Sequence, residues 1–501
     1  MAHNFRKILV ANRGEIAVRI VRACRELGIR SVAVYSDADV DSLPVRLADE
    51  AHYLGPAPAR ESYLNVERLL AVARRAGARA VHPGYGFLAE NADFAAACAA
   101  AGLVFIGPRP ETMRALGRKT DARRAMRAAG VPTVPGTVDP VADAAEARAA
   151  ADAVGYPIAL KAVAGGGGRG MRRVDDPAQL AEALRGAQSE ALGAFGDASV
   201  YVERLIERPR HVEVQILADG HGSVVALGER DCSIQRRYQK LIEESPAPGL
   251  APATRAGLLD AAVQAARAAG YVNAGTVEFI LAPDGAYYFL EVNARLQVEH
   301  PVTELCTGID IVKAQIAIAA GERLPWRQED VQSRGAALEC RIYAEDALGG
   351  FVPSSGPLQA VRVPEGPGVR LDAGYAAGDV VPVYYDSLIA KLCAWDADRA
   401  AAIARMQRAL AECAYLGVRN TIGFHRYVLA HPEFVEARHD TGFVGRHWPP
   451  PEIIPEAVAR DMALAAALAR YHRARAPRPD DGARDGWAAR GRLAATNRGL
   501  L

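Results

Sequence analysis

Apolar residues in the first hundred positions follow two alternating patterns. Short runs rich in β-branched residues, such as KILVAN from Lys7 and SVAVYS from Ser31, alternate with longer runs of helical spacing. In the first of the longer runs, Ile16, Ile20 and Cys24 recur at the spacing of one helix face. Strands that alternate with helices predict a parallel sheet in a doubly wound domain.

The turn after the first predicted strand is the place where a dinucleotide-binding fold carries its glycines. Here the turn reads ANRGEIA and holds one glycine instead of the G-x-G-x-x-G fingerprint. The pattern therefore does not favour NAD as the ligand of this domain.

The pattern changes at VPTVPG (residues 131–136), where proline and glycine mark the entry into a new unit. Beyond it come β-rich blocks, a helix predicted over 254–269, and a predicted hairpin, TVEFILAPDGAYYFLEVNARL, with Pro-Asp-Gly at its turn. A third region, about 334–443, has a mixed α/β pattern. From Pro449 a proline-rich stretch leads into an Ala/Arg-rich tail, and no internal repeat is visible.

Composition narrows the classes of function. Of the 501 residues 50% are apolar and 24% are charged, and the net charge of +1 indicates neither a nucleic-acid nor a membrane partner. No apolar run reaches the ~18 residues that a membrane span needs. The seven cysteines are never spaced CxxC, and no signal peptide is evident, so we expect a reduced cytoplasmic protein without a zinc site.

Lysine is rare in this chain. Only six of the 60 basic residues are lysine, at positions 7, 119, 161, 240, 313 and 391. Where arginine is the default cation, a lysine marks a candidate site that needs a compact ammonium rather than a planar guanidinium. Chance survival is the alternative for each of them.

The stretch KAVAGGGGRGM, from Lys161 to Met171, is a candidate phosphate-binding loop. It follows a β-rich run and is not a P-loop, since the chain contains no G-x-x-x-x-G-K-[ST]. Glycine lets backbone N–H groups approach phosphate oxygens, and such a loop stays mobile until a ligand orders it. A slack linker is the alternative, because glycine runs are common in linkers.

The predicted hairpin carries candidate metal ligands. Glu278 lies on its first strand, and Glu291 and Asn293 lie two apart on the second, with Glu291 roughly opposite Glu278. Two carboxylates and an amide oxygen suit Mg²⁺, which takes few protein oxygens together with substrate phosphates. A solvated edge hairpin, in which acids alternate with apolar residues for trivial reasons, is the alternative.

Directly after the hairpin, Arg295, Gln297 and Glu299 alternate along the chain. Such a set can converge on one small ligand, where an arginine fork binds a planar oxyanion and a neighbouring carboxylate takes its proton. A buried salt bridge without a catalytic role is the alternative.

Several sequence blocks together resemble the signature of biotin carboxylase, the ATP-grasp component of the biotin-dependent carboxylases. In order, between about residue 7 and about residue 444, they are LVANRGEIAVRI, HPGYGFLAEN, KAVAGGGGRGM, RHVEVQILAD, ERDCSIQRRYQK, EVNARLQVEHPVTE and ECRIYAED. Other ATP-grasp ligases share the lysine–glycine loop and the metal acids, but not RLQVEHPVTE together with ECRI.

The resemblance implies an α/β protein of several domains. It implies an N-terminal doubly wound parallel-sheet domain (1–117) and a central ATP-grasp domain (118–332), in which a mobile glycine-rich lid covers about 133–205. A C-terminal mixed α/β domain (333–447) and the Ala/Arg-rich tail (448–501) complete the implied organisation.

The resemblance also implies a role for each matching residue. The implied catalytic residues are Lys240, Arg295, Glu299 and Arg341, with Glu299 as the base that deprotonates bicarbonate. The implied ATP-binding residues are Lys119, Lys161, Gly167, Gly168, Met171, Glu203, Arg204, Leu205, Ile206, His211, Gln235, Tyr238, Glu278, Ile280 and Glu291. Bicarbonate is expected at Lys240, Arg295, Gln297, Val298 and Glu299, biotin at Tyr85 and Arg341, and the metal at Glu278, Glu291 and Asn293.

The reaction that the resemblance implies is ATP-dependent carboxylation of carrier-bound biotin with bicarbonate through carboxyphosphate, the first half-reaction of an acyl-CoA carboxylase. The expected cofactors are ATP and Mg²⁺ or Mn²⁺, with two ions per ATP. Acetyl-CoA or propionyl-CoA, in fatty acid or acyl-CoA metabolism, is the expected final acceptor.

The expected partners follow from the missing biotin site. No methionine precedes a lysine in this chain, so it has no Met-Lys-Met motif and biotin is expected on a separate carrier protein. We also expect a second copy of the chain, in a homodimer, and a carboxyltransferase subunit. The alternatives are another ATP-grasp carboxylate–amine ligase, a pyruvate carboxylase-type biotin carboxylase subunit, and a non-catalytic relative.

Overall fold

The computed structural model describes residues 5–163, 170–450, 464–468, 470 and 471, except for the side chain of Lys119. Gly167 and Gly168, two of the predicted ATP-binding residues, lie outside the described residues. The chain divides into two compact units, Met1–Arg446 and His447–Leu501. Among the described residues, no helix is long and apolar enough to cross a membrane.

The first hundred residues form a doubly wound sheet. Its strands are β1 (Lys7–Val10), β2 (Arg30–Ser36), β3 (Glu50–Gly55), β4 (Ala80–His82) and β5 (Val104–Phe105). They lie in the order β3-β2-β1-β4-β5, and every pair is parallel. The helices are α1 (Gly14–Glu26), α2 (Leu43–Leu47), α3 (Val66–Ala76), α4 (Ala92–Ala100) and α5 (Pro110–Gly117). The predicted parallel sheet is confirmed.

Asparagine caps begin two of these helices. The Asn65 side chain accepts a hydrogen bond from the backbone N–H of Arg68, and that of Asn91 accepts one from Phe94. The second cap starts α4 immediately after the loop 83–90, which reaches the site described below.

A small antiparallel sheet follows. Its strands are β6 (Ile158–Ala162), β7 (Met171–Val174) and β8 (Val200–Arg204), in the order β7-β6-β8. The accompanying helices are α6 (Lys119–Ala128), α7 (Ala144–Val154) and α8 (Leu180–Phe195). Apolar residues of α7, α8 and the three strands bury one another in a cluster of their own. This part of the chain therefore has its own small core.

One large antiparallel sheet and three two-stranded sheets follow in the rest of the first unit. The strands from here to its end are β9 (Arg210–Ala218), β10 (Val224–Arg236), β11 (Gln239–Ser245), β12 (Asn273–Leu281), β13 (Tyr287–Asn293), β14 (Ala336–Tyr343), β15 (Glu345–Asp346), β16 (Val352–Pro353), β17 (Gly356–Pro357), β18 (Ala360–Arg362), β19 (Val369–Ala373), β20 (Val380–Val381), β21 (Leu388–Asp396) and β22 (Ala414–Leu416). The helices are α9 (Pro252–Ala268), α10 (His300–Thr307), α11 (Ile311–Ala319), α12 (Arg399–Glu412), α13 (Ile422–Ala430), α14 (Pro432–Val435) and α15 (Phe443–His447).

Eight of these strands share one sheet, in the order β13-β12-β9-β10-β11-β14-β21-β19. The predicted hairpin is confirmed as β12 and β13. Because β11 pairs with β14, the sheet continues across the predicted boundary at residues 332 and 333. The central and C-terminal regions are thus held together by backbone hydrogen bonds.

The C-terminal region also contacts the start of helix α1 through a glycine. Gly374 follows β19, and a Cβ built there would lie 2.6 Å from the backbone nitrogen of Glu15. Only glycine allows two backbones to come so close. This contact brings the start of α1, with Glu15, against the eight-stranded sheet.

Candidate active site

One cavity of about 950 Å³ gathers residues from most parts of the first unit. Its wall includes the loop after β4, the small sheet, the eight-stranded sheet and the loop before α10. The predicted site residues that line it are Tyr85, Lys161, Met171, Glu203, Arg204, Leu205, Ile206, His211, Gln235, Tyr238, Lys240, Glu278, Ile280, Glu291, Asn293, Arg295, Gln297, Val298 and Arg341. Folding thus gathers residues that are far apart in the sequence into one concave site.

Glu299 is bonded to two cations of this wall. One of its carboxylate oxygens accepts a hydrogen bond from Lys240 Nζ at 2.7 Å, and the other accepts one from Arg341 Nη2 at 2.9 Å. Glu299 itself is fully buried. It is the N-cap residue of α10, yet its side chain makes no capping bond and turns to the cations instead.

Two opposing effects set the pKa of the Glu299 carboxyl. Burial raises it, whereas the nearby charges of Lys240, Arg341 and Arg230 lower it by more, so the pKa lies well below the usual value. Glu299 is therefore ionised at neutral pH and has the charge state of a general base.

The hairpin places its acids as the sequence predicts. Its register pairs Glu278 on β12 directly with Glu291 on β13, and it pairs Thr276 with Asn293. Glu278, Glu291 and Asn293 all line the cavity. The predicted position of Glu291 opposite Glu278 is confirmed.

Glu278 accepts hydrogen bonds from several side chains of the site. Its Oε1 atom lies 2.8 Å from both Lys240 Nζ and Asn293 Nδ2, and 3.2 Å from Gln297 Nε2. His211 Nε2 lies 3.0 Å from the other oxygen. Burial raises the pKa of Glu278, but Lys240 and His211 lower it by more, so this carboxyl too has a pKa well below the usual value.

The donor set of the hairpin fits a divalent cation. Two carboxylates and one amide lie on adjacent strands and face the same cavity. Glu278 is already ionised, so no proton has to leave it when a cation binds. Oxygen ligands of this kind are those that Mg²⁺ prefers.

The small sheet supplies a cation to the cavity. Lys161 on β6 is about one-fifth exposed and bonds to the carboxylate of Glu203 on β8. The other oxygen of Glu203 pairs with Arg123 on α6, which also donates to the Val134 carbonyl at 2.8 Å. Lys161 is thereby anchored on one side while it still faces the cavity.

The predicted adenine hinge, residues 203–206, already uses two of its backbone donors. The N–H of Arg204 donates to the Pro135 carbonyl at 2.8 Å, and that of Leu205 donates to Pro157 at 2.9 Å. An adenine in this place has to be recognised by other groups of the segment.

The segment after β13 does not continue the strand. Residues 294–299 form a loop that leads from Asn293 into α10. In this loop Arg295 donates to Gln297 Oε1 at 2.8 Å, to Asn293 Oδ1 at 3.0 Å and to Glu90 at 2.9 Å. The alternating residues Arg295, Gln297 and Glu299 therefore lie in a loop and not on a strand. A hydrogen bond within this loop brings Arg295 and Gln297 together.

Sequence reasoning missed a layer of buried charge behind the cavity wall. Arg230 is fully buried and donates to Glu213 Oε1 at 2.5 Å, while the other Glu213 oxygen accepts from Lys240. On the neighbouring strand, Glu243 Oε1 lies 2.6 Å from Arg341 Nε. The carboxyls of Glu213 and Glu243 lie against the cations that hold Glu299, and burial raises the pKa of both, that of Glu243 to about 7.

A sequence signal for one of these residues was available. His211, Glu213 and Gln215 alternate along β9, and all three are buried. Polar residues that alternate on an otherwise apolar strand indicate a strand face turned toward a polar site. Arg230 and Glu243 carried no comparable signal, because strand pairing alone brings them to this place.

Comparison with known families decides the assignment. Family models match residues 4–113 (Biotin carboxylase, N-terminal domain), residues 118–327 (Carbamoyl-phosphate synthase L chain, ATP binding domain) and residues 339–446 (Biotin carboxylase C-terminal domain). A biotin carboxylase of Nostoc sp. is 52% identical over 440 residues, which cover 88% of this chain and 98% of that protein. The chain belongs to the biotin carboxylase family. It is an ATP-dependent carboxylase ligase with an ATP-grasp domain.

Two further relatives extend the comparison. A pyruvate carboxylase subunit of Methanothermobacter thermautotrophicus is 51% identical over 444 residues, 88% of this chain and 90% of that protein. The biotin carboxylase domain dimer of the Hydrogenobacter thermophilus 2-oxoglutarate carboxylase, solved with MgADP, ADP and bicarbonate, superposes with a TM-score of 0.84. It is 46% identical and covers 90% of this chain and 98% of that one. Relatives from a pyruvate carboxylase and from a 2-oxoglutarate carboxylase thus both match this chain, over 88% and 90% of its length.

Proposed function

We propose that this cavity carboxylates carrier-bound biotin with bicarbonate at the expense of ATP, through carboxyphosphate. This is the first half-reaction of a biotin-dependent carboxylase. The observation that carries the proposal is the position of Glu299, an ionised and buried carboxylate bonded to Lys240 and Arg341. The same Lys240 contacts Glu278 on the hairpin, so the base and the acids suited to a metal share one cation.

The nucleotide is assigned to the part of the cavity that Lys161 faces. Lys161 and Lys119 hold the phosphates, and residues 203–206 contact the adenine. Glu278, Glu291 and Asn293 would hold Mg²⁺ or Mn²⁺, two ions per ATP, and the bound metal would supply positive charge against the phosphate oxygens. The oxygen donors of the hairpin and the ionised state of Glu278 support this assignment.

Bicarbonate is assigned to the loop before α10, between Arg295, Gln297, Val298 and Lys240. Glu299 removes its proton, and the resulting anion attacks the γ-phosphorus, so that ADP leaves and carboxyphosphate forms. A bound bicarbonate shares Lys240 with Glu299, so Lys240 stabilises the Glu299 carboxylate less. The pKa of Glu299 then rises, and Glu299 becomes a stronger base. The cations of the wall then stabilise the charge that spreads over the phosphate oxygens.

Biotin is assigned to the region of Tyr85 and Arg341. Carboxyphosphate breaks down to CO₂ and phosphate, the phosphate removes the N1′ proton of biotin, and the ureido nitrogen takes up CO₂. Arg341 stabilises the negative charge on the ureido oxygen during this step. The 2.9 Å hydrogen bond from Arg341 to Glu299 supports the assignment, because a biotin held by Arg341 would lie beside the proposed bicarbonate site.

The partners and the final acceptor belong to the same proposal. We expect a biotinylated carrier protein, a carboxyltransferase subunit, a homodimer, and acetyl-CoA or propionyl-CoA as the acceptor in fatty acid or acyl-CoA metabolism. A pyruvate carboxylase-type subunit is the second candidate, favoured by the 51% identity to the pyruvate carboxylase subunit of Methanothermobacter. The dimer solved for the Hydrogenobacter relative supports the homodimer.

We also propose the domain organisation 1–117, 118–332, 333–447 and 448–501, with 133–205 as a lid that closes over the nucleotide. The separate core of α7, α8 and the small sheet supports a lid that moves as one body. All seven cysteines lie in the described ranges and are free and buried, which supports a reducing, cytoplasmic compartment.

The test is ADP release by the purified protein with ATP, Mg²⁺, bicarbonate and free biotin. We expect turnover that requires bicarbonate and rises with biotin. ADP release that does not respond to biotin, or that responds to an amine instead, would indicate another ATP-grasp ligase. Adding candidate carrier proteins and carboxyltransferases with each acyl-CoA or pyruvate then identifies the acceptor.

A further inference from the structure

Lys391 is a buried lysine without a place in the reaction described so far. Lys7 and Lys313, the other lysines without a predicted role, keep 16% and 34% of their side chains accessible. The Lys391 side chain on β21 is fully buried. Burying an ammonium is costly unless its donors have partners, so this position indicates a specific set of contacts.

The contacts of Lys391 are one backbone carbonyl and a group of carboxylates. Its Nζ atom donates to the Val298 carbonyl at 2.7 Å and lies 3.3 Å from Glu15 and 3.9 Å from Asp372. Burial lowers the pKa of Lys391, but Glu15, Glu339 and Asp372 raise it by more, so the pKa ends above its usual value. The residue is therefore a permanent buried cation.

On one side, this cation holds the loop that carries the bicarbonate residues. The Val298 carbonyl belongs to the peptide plane that leads into Glu299, and that plane is rigid. A short hydrogen bond to a charged donor restrains the ψ angle of Val298 and the φ angle of Glu299 together. Lys391 thus restrains the backbone conformation directly before Glu299, the proposed base.

On the other side, the same cation holds a wall of the proposed biotin site. Glu15 accepts a hydrogen bond from the hydroxyl of Tyr85, and both residues line the cavity. Lys391 Nζ lies 5.9 Å from the centre of the Tyr85 ring. Burial raises the pKa of Glu15 to about 7 against the opposing effect of Lys391. Among the charges that favour the ionised form of Glu15, the acceptor of the Tyr85 hydroxyl, Lys391 has the largest effect.

We propose that Lys391 is a positioning residue which, through the Val298 carbonyl and Glu15, fixes the bicarbonate loop and the Tyr85 wall relative to each other. It touches no substrate and acts through the residues it holds. This inference rests on the assignment of bicarbonate to the loop before α10.

The experiment compares the full-length wild type with K391M, E15Q and K391M/E15Q. The double variant removes the ammonium and its nearest carboxylate together, while Asp372 keeps its ion pair with Arg370. K7M is the matched control, because Lys7 also donates to one carboxylate and one backbone carbonyl, those of Glu50 and Ala76. The readouts are the KM values for bicarbonate, ATP and biotin in the ADP-release assay, with circular dichroism to check folding.

We expect K391M/E15Q to raise the KM for bicarbonate roughly tenfold or more while the KM for ATP stays within about twofold, since only the loop that binds bicarbonate loses its restraint. E15Q, which keeps the bond to Val298, should raise the KM for biotin more than that for bicarbonate. K7M should leave all three values near those of the wild type.

Several outcomes overturn the inference. An unchanged KM for bicarbonate in a folded double variant, or equal changes for bicarbonate and ATP, contradicts a positioning role. If both lysine variants fail to fold, Lys391 is purely structural and the inference is rejected. Failure of the proposed function is recognised separately, since the wild type then shows no turnover dependent on bicarbonate and biotin, and the inference fails with it.

Discussion

Glu299 combines two properties that oppose each other, complete burial and a negative charge. Burial alone would protonate it, and the Lys240 and Arg341 cations prevent this. Lys240 and Arg341 in turn lie against the buried carboxyls of Glu213 and Glu243. The proposed base is thus one member of a buried network of charged side chains. Its ionisation depends on every member of that network.

At the residue scale we predict that E299Q abolishes turnover while ATP still binds. Glutamine keeps the shape of the side chain but cannot take a proton from bicarbonate, so kcat in the biotin-dependent assay should fall by about a hundredfold or more. The Kd for MgATP, measured by calorimetry, should change little. E67Q, at an exposed position on α3, is the control. Retained turnover in E299Q would remove this residue as the base.

At the scale of elements, the side chain of Arg230 connects two neighbouring strands and a helix of the site. Arg230 on β10 donates to Gln215 on β9 at 2.9 Å, to Thr276 on β12 at 3.2 Å and to Thr303 on α10 at 2.9 Å. It is fully buried, and it also bonds to Glu213. One guanidinium therefore links three strands that are already paired through their backbones to the helix that follows the base.

We predict that R230M lowers the free energy of unfolding by about 3–5 kcal/mol, because it leaves the buried Glu213 with one cation fewer. Urea or thermal unfolding followed by circular dichroism measures the loss. R148M is the control: Arg148 on α7 pairs with Asp152 on the surface, so about 0–1 kcal/mol is expected. Equal stabilities of R230M and the wild type would show that the network contributes no stability.

At the scale of the whole molecule, the eight-stranded sheet is the structure that unites the site. The hairpin that carries Glu278 and the strand that carries Arg341 lie in the same sheet, β12 and β14. Because backbone pairing runs through the predicted domain boundary, the central region is not independent of the C-terminal one.

We therefore predict that a fragment ending at residue 333 does not fold cooperatively. It would leave β11 as an open edge, and exposed edges associate with other chains. The fragment 1–446, which keeps all eight strands, is the control and should unfold in a sharp transition. Calorimetry and light scattering distinguish the two, and a soluble, cooperatively unfolding short fragment would contradict the prediction.

Much of this protein was predictable from local patterns. Alternating strands and helices predicted the parallel sheet, and Pro-Asp-Gly at the turn predicted the hairpin whose register pairs Glu278 with Glu291. The resemblance of ordered sequence blocks predicted the family. These features can be recognised in a sequence because each depends on neighbours within a few residues or on residue types that the chemistry requires.

Tertiary structure alone decided which charges meet. Glu213, Arg230, Glu243 and Lys391 come to the site from separate strands, and no spacing along the chain links them to Glu299. In a low-dielectric interior a charge is stable only beside its partners, and those partners are set by strand pairing across the sheet. The sequence by itself therefore determined the parallel sheet, the hairpin and the family. The tertiary packing determined which buried charged groups surround Glu299, and these groups set its protonation state and restrain its orientation.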